Sequence, residues 1–189
     1  MKIFFATQNK GKLAETRQIL SSFGFAVESI NISLAEPDAG TVEEVARIKL
    51  EQASGCGYDP IIVDDAGIFF AAYPGFPGVL TKRVFERIGY RGIKKLLSGE
   101  DRKAWFEGAV AVRWRGKQQI FTGKTTGIIL NEWPDRIEPE PGFPFDPIFI
   151  PDGGTKVLKE MTPTERMAYS YRRQALEKMA QWMKEMEKE

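Results

Sequence analysis

Two adjacent carboxylates, Asp64 and Asp65, close the apolar run Pro60-Ile-Ile-Val63 and stand directly before Ala66-Gly67. Buried carboxylates are costly to keep ionised without a partner, so paired negative charge at the end of a buried strand points to a hard cation. A polar turn after a strand is the plain alternative. Other groups in the chain suit a phosphorylated ligand. Thr7, Gln8, Asn9, Lys10, Gly11 and Lys12 lie where a first strand gives way to a helix, a junction whose open N–H groups and dipole attract phosphate. It is not a Walker A loop: the leading glycine is absent, and Leu13 follows Gly11-Lys12 where Ser or Thr would stand. Lys49 lies seven residues beyond Val42 and four beyond Val45, on their apolar helix face. It either snorkels to the rim or points into a cleft at an anion. Glu36 stands in a loop with Pro37, Asp38 and Gly40. Gly142-Phe143-Pro144-Phe145-Asp146-Pro147 is dense in turn formers and aromatics and could stack and orient a flat base; its prolines could equally just fix the loop. Tyr171 and Arg172 set a phenol beside a guanidinium near the final helix, or lie on a solvated helix face.

The elements that must position these groups follow from periodicity. Lys2–Ala6 reads as a buried strand, followed by a helix carrying Leu13, Leu20 and Phe23 on one side. Ala26–Ile32 reads as a second strand. Thr41-Val-Glu-Glu44 is a capping box opening a helix through about Ser54. Pro60–Val63 is the strand that delivers the aspartates, and Gly75-Phe-Pro-Gly78 a rigid turn. Val84–Leu97 is predicted helical with a break near Gly89. Ala104–Trp114 and Gln119–Ile129 form a hairpin around Arg115-Gly-Lys117. Gly142–Ile150 is a loop leading into a short strand. From Thr162 the chain is predicted helical to its end, with an interruption near Ser170 and with Ala175, Met179, Trp182 and Met186 on one face. Strands alternating with helices, then a hairpin, predict an α/β fold with a mixed sheet, in one domain over residues 1–189.

Composition narrows the chemistry. Apolar residues make up 42% and charged residues 28%, as in ordinary globular proteins. A formal net charge of +1 gives no bulk field for nucleic acid or anionic membrane. The chain has no histidine, which removes Ser-His-Asp triads and most zinc sites. Its single cysteine, Cys56, excludes an internal disulfide and fits a reducing compartment. No run approaches ~20 apolar residues and the N-terminus reads straight into a strand, so a cytoplasmic protein is expected.

These pieces, in this order, resemble the inosine triphosphate pyrophosphatase family, also called XTP/dITP diphosphatases. The family's Thr-x-Asn-x-x-Lys appears as Thr7, Asn9 and Lys12, and an acid before Thr-x-Glu-Glu-Val-Ala as Glu36 ahead of Thr41–Ala46. Asp64-Asp65-Ala66-Gly67 is similar to its acidic Asp-Ser-Gly motif. Gly75–Gly78, Phe121–Gly123 and Gly142–Phe149 match its Gly-Phe-Pro-Gly, Phe-Thr-Gly and Gly-Phe-Gly-Tyr/Phe-Asp-Pro-Ile-Phe segments. Lys159-Glu160-Met161 and Ser170-Tyr171-Arg172 correspond to Ala-Glu-Met and Ser-His-Arg. The resemblance implies an elongated mixed sheet flanked by helices, with two lobes around a central nucleotide-binding cleft, usually in a homodimer. It also implies Mg²⁺-dependent hydrolysis of deaminated purine nucleoside triphosphates (ITP, dITP, XTP) to monophosphate and pyrophosphate. Asp65 would then be catalytic and bind the metal with Glu36, supported by Asp64. Thr7–Lys12, Lys49 and Arg166 would hold the substrate. Ala66, the base-loop residues Phe143, Pro144, Phe145 and Asp146, and Tyr171 and Arg172 would complete its pocket.

Departures from the family pattern gather at the base end. Tyr171 stands for a histidine, Pro144 for a glycine, Ala66 for Ser or Thr, and Gln8 for a common glycine. Triphosphate chemistry with altered base selection is the expectation, with a pyrophosphatase for another modified nucleotide as the alternative. A nucleotide sensor without turnover, or a nucleic-acid binder using Trp105 and Trp114, are the readings from other classes.

Overall fold

The computed structural model describes residues 1–134 and 136–188. β1 (Lys2–Ala6), α1 (Lys10–Ser21), β2 (Ala26–Ile30), α2 (Val42–Ser54) and β3 (Ile61–Phe70) open the chain. β4 (Pro77–Gly78), α3 (Thr81–Leu96), β5 (Lys103–Trp114), β6 (Lys117–Ile129) and β7 (Phe149–Pro151) follow. A 3-10 turn at Leu158–Glu160 precedes α4 (Pro163–Ala168) and α5 (Tyr171–Met186). The seven strands form one sheet in the order β2-β1-β3-β5-β6-β7, with β4 on β3. β2, β1 and β3 run parallel and the other pairings are antiparallel, the mixed sheet that the element pattern predicts.

Both faces are covered near β1. On one, α1 and α5 bury Ile19, Leu20, Leu176, Met179 and Met183 against Ile3, Phe5, Ile62, Val110 and Val112. On the other, α2 buries Val42, Ala46, Leu50 and Ala53 against Ile61, Val63, Ala109 and Ala111. Each fully buried Leu, Ile or Val contributes about 1.5–3 kcal/mol. A separate core beyond the far end of β3 gathers Ile68, Phe70, Ile93, Leu97, Phe145 and Phe149. The connections β1-α1-β2 and β2-α2-β3 thus pass on opposite faces, which makes the carboxyl end of β1 a topological switch point, the place where open α/β sheets bind ligands.

Several boundaries differ from those predicted. β2 ends at Ile30 rather than Ile32. α3 starts at Thr81, and Gly89, with φ of 54°, supplies the expected break. Ser170 caps α5 and separates it from α4, at the predicted interruption; α5 ends at Met186, and Glu189 lies outside the described residues. The largest difference is in β3. It does not stop at Val63 but continues through the aspartates to Phe70, because its ladder with β5 is unbroken from Ile61↔Arg113 to Phe70↔Ala104.

Candidate active site

The opposite edge of β3 is not continuous. β1 pairs with Ile61 and Ile62, and β4 with Ile68 and Phe69. Between these contacts residues 63–67 have no strand neighbour on that side among the described residues, so the sheet carries a gap where Asp64, Asp65 and Ala66 lie. Gly67 lets β4 close the far end of the gap, since a Cβ there would collide with the Gly78 carbonyl.

Because successive side chains of a strand point to opposite faces, the two aspartates part company. Asp64 turns to the α1/α5 face, where Oδ1 is 3.0 Å from Lys12 Nζ and Oδ2 accepts from Arg172 Nε at 3.1 Å. Arg172, only 2% exposed, also pairs with Glu15, which bonds Ser170 Oγ, and donates to Tyr171 Oη at 3.2 Å. Burial pushes the Asp64 carboxyl up, but Lys12, Arg172 and Lys49 outweigh it and hold the group at about 2. Asp65 turns to the α2 face. Its Oδ1 is 2.8 Å from Lys49 Nζ, which also lies 3.0 Å from Glu36 Oε1 and 3.4 Å from the Asp64 carbonyl oxygen at the open strand edge. Lys49 shares the buried face of α2 with Val42 and Val45, as its spacing predicts, and is directed at acids rather than at the rim.

Asp65 Oδ2 is buried with no hydrogen-bond partner among the described residues. Burial, the largest influence, raises the Asp65 carboxyl above its ordinary value; Lys49 and Lys12 oppose this and the Asp64 charge adds to it. Burial also pushes Glu36 up, yet Lys49, with Lys12 and Lys82 farther off, holds it below the usual carboxylate range. Burial opposes the Lys49 charge, and Asp65 and Glu36 more than offset it, so its pKa is raised. A cavity of about 270 Å³ opens beside these groups, lined by Glu36, Asp65, Lys82, Arg83 and Glu86 with Pro37, Val45 and Val79.

Among the described residues no three acidic, cysteine or histidine side chains form a ready-made metal cage. Glu36 and Asp65 share Lys49 and line the same cavity, however, and the orphaned buried carboxylate oxygen of Asp65 fits Mg²⁺, which takes one or two carboxylates and completes its shell with water and substrate phosphate. Asp64, expected beside these two acids, instead lies on the other face of β3, where Lys12 and Arg172 take its two oxygens.

The Thr7–Lys12 segment and the Gly142–Asp146 loop dock on each other. Asn9 caps α1, accepting from Lys12 N–H at 3.0 Å, and its own N–H donates to Thr7 Oγ1 at 3.2 Å. Gln8 donates to the Asn31 side chain at 2.8 Å and Lys10 is exposed. The Phe143 ring lies directly over Gly11, and Gly142 against Asn9, so a Cβ at either glycine would clash. The Arg172 guanidinium is 5.9 Å from the Phe143 ring and 5.2 Å from that of Tyr171. Tyr171 stacks on Phe106 at 5.7 Å, and burial pushes its hydroxyl up to about 12. Ala66 and Gly108, paired across β3 and β5, leave room for that ring. Asp146 is buried, with Arg166 Nη1 3.5 Å from its Oδ2; burial raises it to about 7 against the pull of Arg166. Phe145 departs from expectation. It does not line the pocket but is buried against Phe70 and Phe85, because the turn sends alternate aromatic rings to opposite sides. Arg172 likewise serves the buried ion network rather than an open pocket wall.

The Ham1 family profile matches residues 3–182. The chain belongs to the Ham1 family. It is 41% identical over 186 residues to a dITP/XTP pyrophosphatase of Thermococcus kodakarensis, with 98% of each chain covered. Identity to the dITP/XTP pyrophosphatase of Pyrococcus horikoshii is 38% over 185 residues and 97% of each chain. A solved HAM1 protein from Coxiella burnetii superposes with a TM-score of 0.80 at 28% identity, covering 98% of this chain and 99% of that one. A solved nucleoside-triphosphatase / dITP/XTP pyrophosphatase from Mycobacterium abscessus gives 0.70 at 31%, covering 95% and 98%.

This Ham1 chain also carries site residues that its sequence did not single out. Glu15 lies three residues after Lys12, one turn along the same helix face, a spacing that could have exposed it. Lys82, Arg83 and Glu86 reach the cavity from α3, and the Tyr90 hydroxyl donates to the Pro144 carbonyl at 2.6 Å. Those contacts span tens of residues and leave no local pattern.

Proposed function

We propose that this Ham1 chain hydrolyses the α–β phosphoanhydride of deaminated purine nucleoside triphosphates, ITP, dITP and XTP, with Mg²⁺. The observation that carries the proposal is Asp65 at the sheet gap, its Oδ2 buried without a partner among the described residues, sharing Lys49 with Glu36 and lining with it a cavity that Lys82 and Arg83 also reach. The names of the Thermococcus and Pyrococcus relatives support it. Water oxygen bonds to the α-phosphorus, the bond from that phosphorus to the bridging oxygen breaks, and pyrophosphate leaves with the electron pair. Asp65 takes the water proton, and its raised basicity suits that role. Glu36 and Asp65 would hold Mg²⁺, which would supply charge neutralisation for the triphosphate. Lys12 and Lys49 exchange their carboxylate partners for phosphate, and the N-terminus of α1 adds its N–H groups. Lys12→Ala is expected to raise the KM for ITP about tenfold to a hundredfold, the value of a charge-assisted contact, with a smaller effect on kcat; an unchanged KM would remove Lys12 from the substrate.

Base choice follows from complementary hydrogen bonding. A 6-oxo purine offers an N1–H donor and an O6 acceptor, which suit the Asp146 carboxylate and the donors Arg166 and Tyr171; adenine presents the reverse. Asp146, raised to about 7, is ionised above that pH and protonated below it. Discrimination of ITP over ATP is therefore expected to widen as pH rises from 6 to 8. Initial rates of pyrophosphate release from ITP, XTP, dITP, GTP, ATP and dUTP at both pH values check this. A fastest substrate outside the deaminated purines would favour the alternative, a pyrophosphatase for another modified nucleotide.

A further inference from the structure

Glu36 sits in the segment between β2 and α2, residues 31–41, which has neither helix nor strand, and its side chain is more than half exposed. Such a loop has little of its own to hold a ligand oxygen in place. Two side chains from different helices take hold of its backbone beside Glu36. From the last turn of α2, the Gln52 amide brackets the preceding residue: its Oε1 accepts from Ala35 N–H at 2.8 Å and its Nε2 donates to the Ala35 carbonyl at 3.2 Å. From α3, Arg83 Nη2 donates to the Glu36 carbonyl at 3.3 Å while Nη1 pairs with Asp38. Lys49, three residues before Gln52 on α2, meets the Glu36 carboxylate itself at 3.0 Å. The carboxylate and both ends of its local backbone are thus fixed from α2 and from α3 across the cavity.

We infer that Gln52 and Arg83 are positioning residues that clamp the Glu36 loop and set the affinity of the site for a divalent cation. The inference rests on the reading of Glu36 as a cation ligand. Neither residue need touch the cation; outer partners that orient ligating carboxylates typically govern affinity by about 10–100-fold.

The two residues allow a test in which sign separates positioning from charge. Gln52→Ala removes no charge. Arg83→Met removes a positive charge from beside the acids, which by electrostatics alone would tighten cation binding. Mn²⁺ titration of the free, full-length protein, followed by electron paramagnetic resonance, reads affinity without turnover. Both variants are expected to bind Mn²⁺ about tenfold more weakly than the parent, with circular dichroism unchanged. Gln52→Ala is further expected to need about tenfold more Mg²⁺ for half-maximal pyrophosphate release, with the same kcat at saturating Mg²⁺. Unaltered Mn²⁺ affinity in Gln52→Ala, or tighter binding in Arg83→Met, overturns the clamp while leaving Glu36 as a ligand. Failure of the parent protein to bind Mn²⁺ overturns the cation reading and the clamp together.

Discussion

The Asp65→Asn protein is expected to release pyrophosphate from ITP about 10³-fold more slowly than the parent, or slower still, with a melting temperature within a few degrees of it. The two halves of that expectation have one source. Asp65 lies on the α2 face of β3 with one carboxylate oxygen on Lys49 and the other buried without a partner among the described residues. Its pKa is raised, with burial the main cause, so the fold disfavours the charged form. A neutral isostere therefore costs the fold little, while it removes both a hard anionic oxygen and a proton acceptor from the cavity wall. Lys49 keeps Glu36 as its ionic partner. Steady-state kinetics and a thermal melt on one preparation check it. Near-normal turnover would remove Asp65 from the chemistry, and collapse of the fold would show that its role is structural.

Its neighbour should behave in the opposite way. Asp64→Asn is expected to destabilise the protein by about 3–5 kcal/mol, because it strands Arg172 and Lys12 in a buried ionic cluster. In a chain of this size that corresponds to a fall in melting temperature of about 10 °C. The pH dependence carries the same sign. Asp64 is held at about 2 against an ordinary 3.8, so its ionised form is favoured by folding, worth about 2 kcal/mol. That stabilisation is complete above the unfolded value, near pH 4, and is lost as pH falls through about 2. The stability gap between parent and Asp64→Asn, measured by urea unfolding, should accordingly be wide at pH 6 and narrow toward pH 2. A gap independent of pH, or no gap, would show that the Lys12 and Arg172 pairs do not stabilise the fold.

The opposed fates of these two residues mark how far the sequence could be read. Lys2–Ala6, the capping box at Thr41–Glu44 and the hairpin turning at Arg115-Gly116 follow from local periodicity and capping chemistry, and the structure has them. The end of β3 does not, because Asp64-Asp65-Ala66-Gly67 interrupts the apolar signal while backbone pairing to β5 carries on regardless. Once the strand is known to continue, its two-residue period separates the aspartates, leaving Asp65 with Glu36 around Lys49 and Asp64 in the ion cluster of Lys12 and Arg172 on the other face. Lys49 was legible from its helical spacing. Arg83 was not, since its contacts to Glu36 and Asp38 join α3 to a loop more than 40 residues earlier. Phe145 looked like a pocket residue because an aromatic in a loop carries no sign of which way it faces; the core at Phe70 and Phe85 decides it.

A crystal structure with Mg²⁺ and a dITP analogue bearing an imido group between the α- and β-phosphates tests the division of labour between the two aspartates most directly. The expected result is a cation bound by Glu36 and Asp65 on the α2 side of the gap, with Asp64 still paired to Arg172. A cation bound by Asp64, or one with Glu36 and Asp65 both outside its coordination shell, would contradict it.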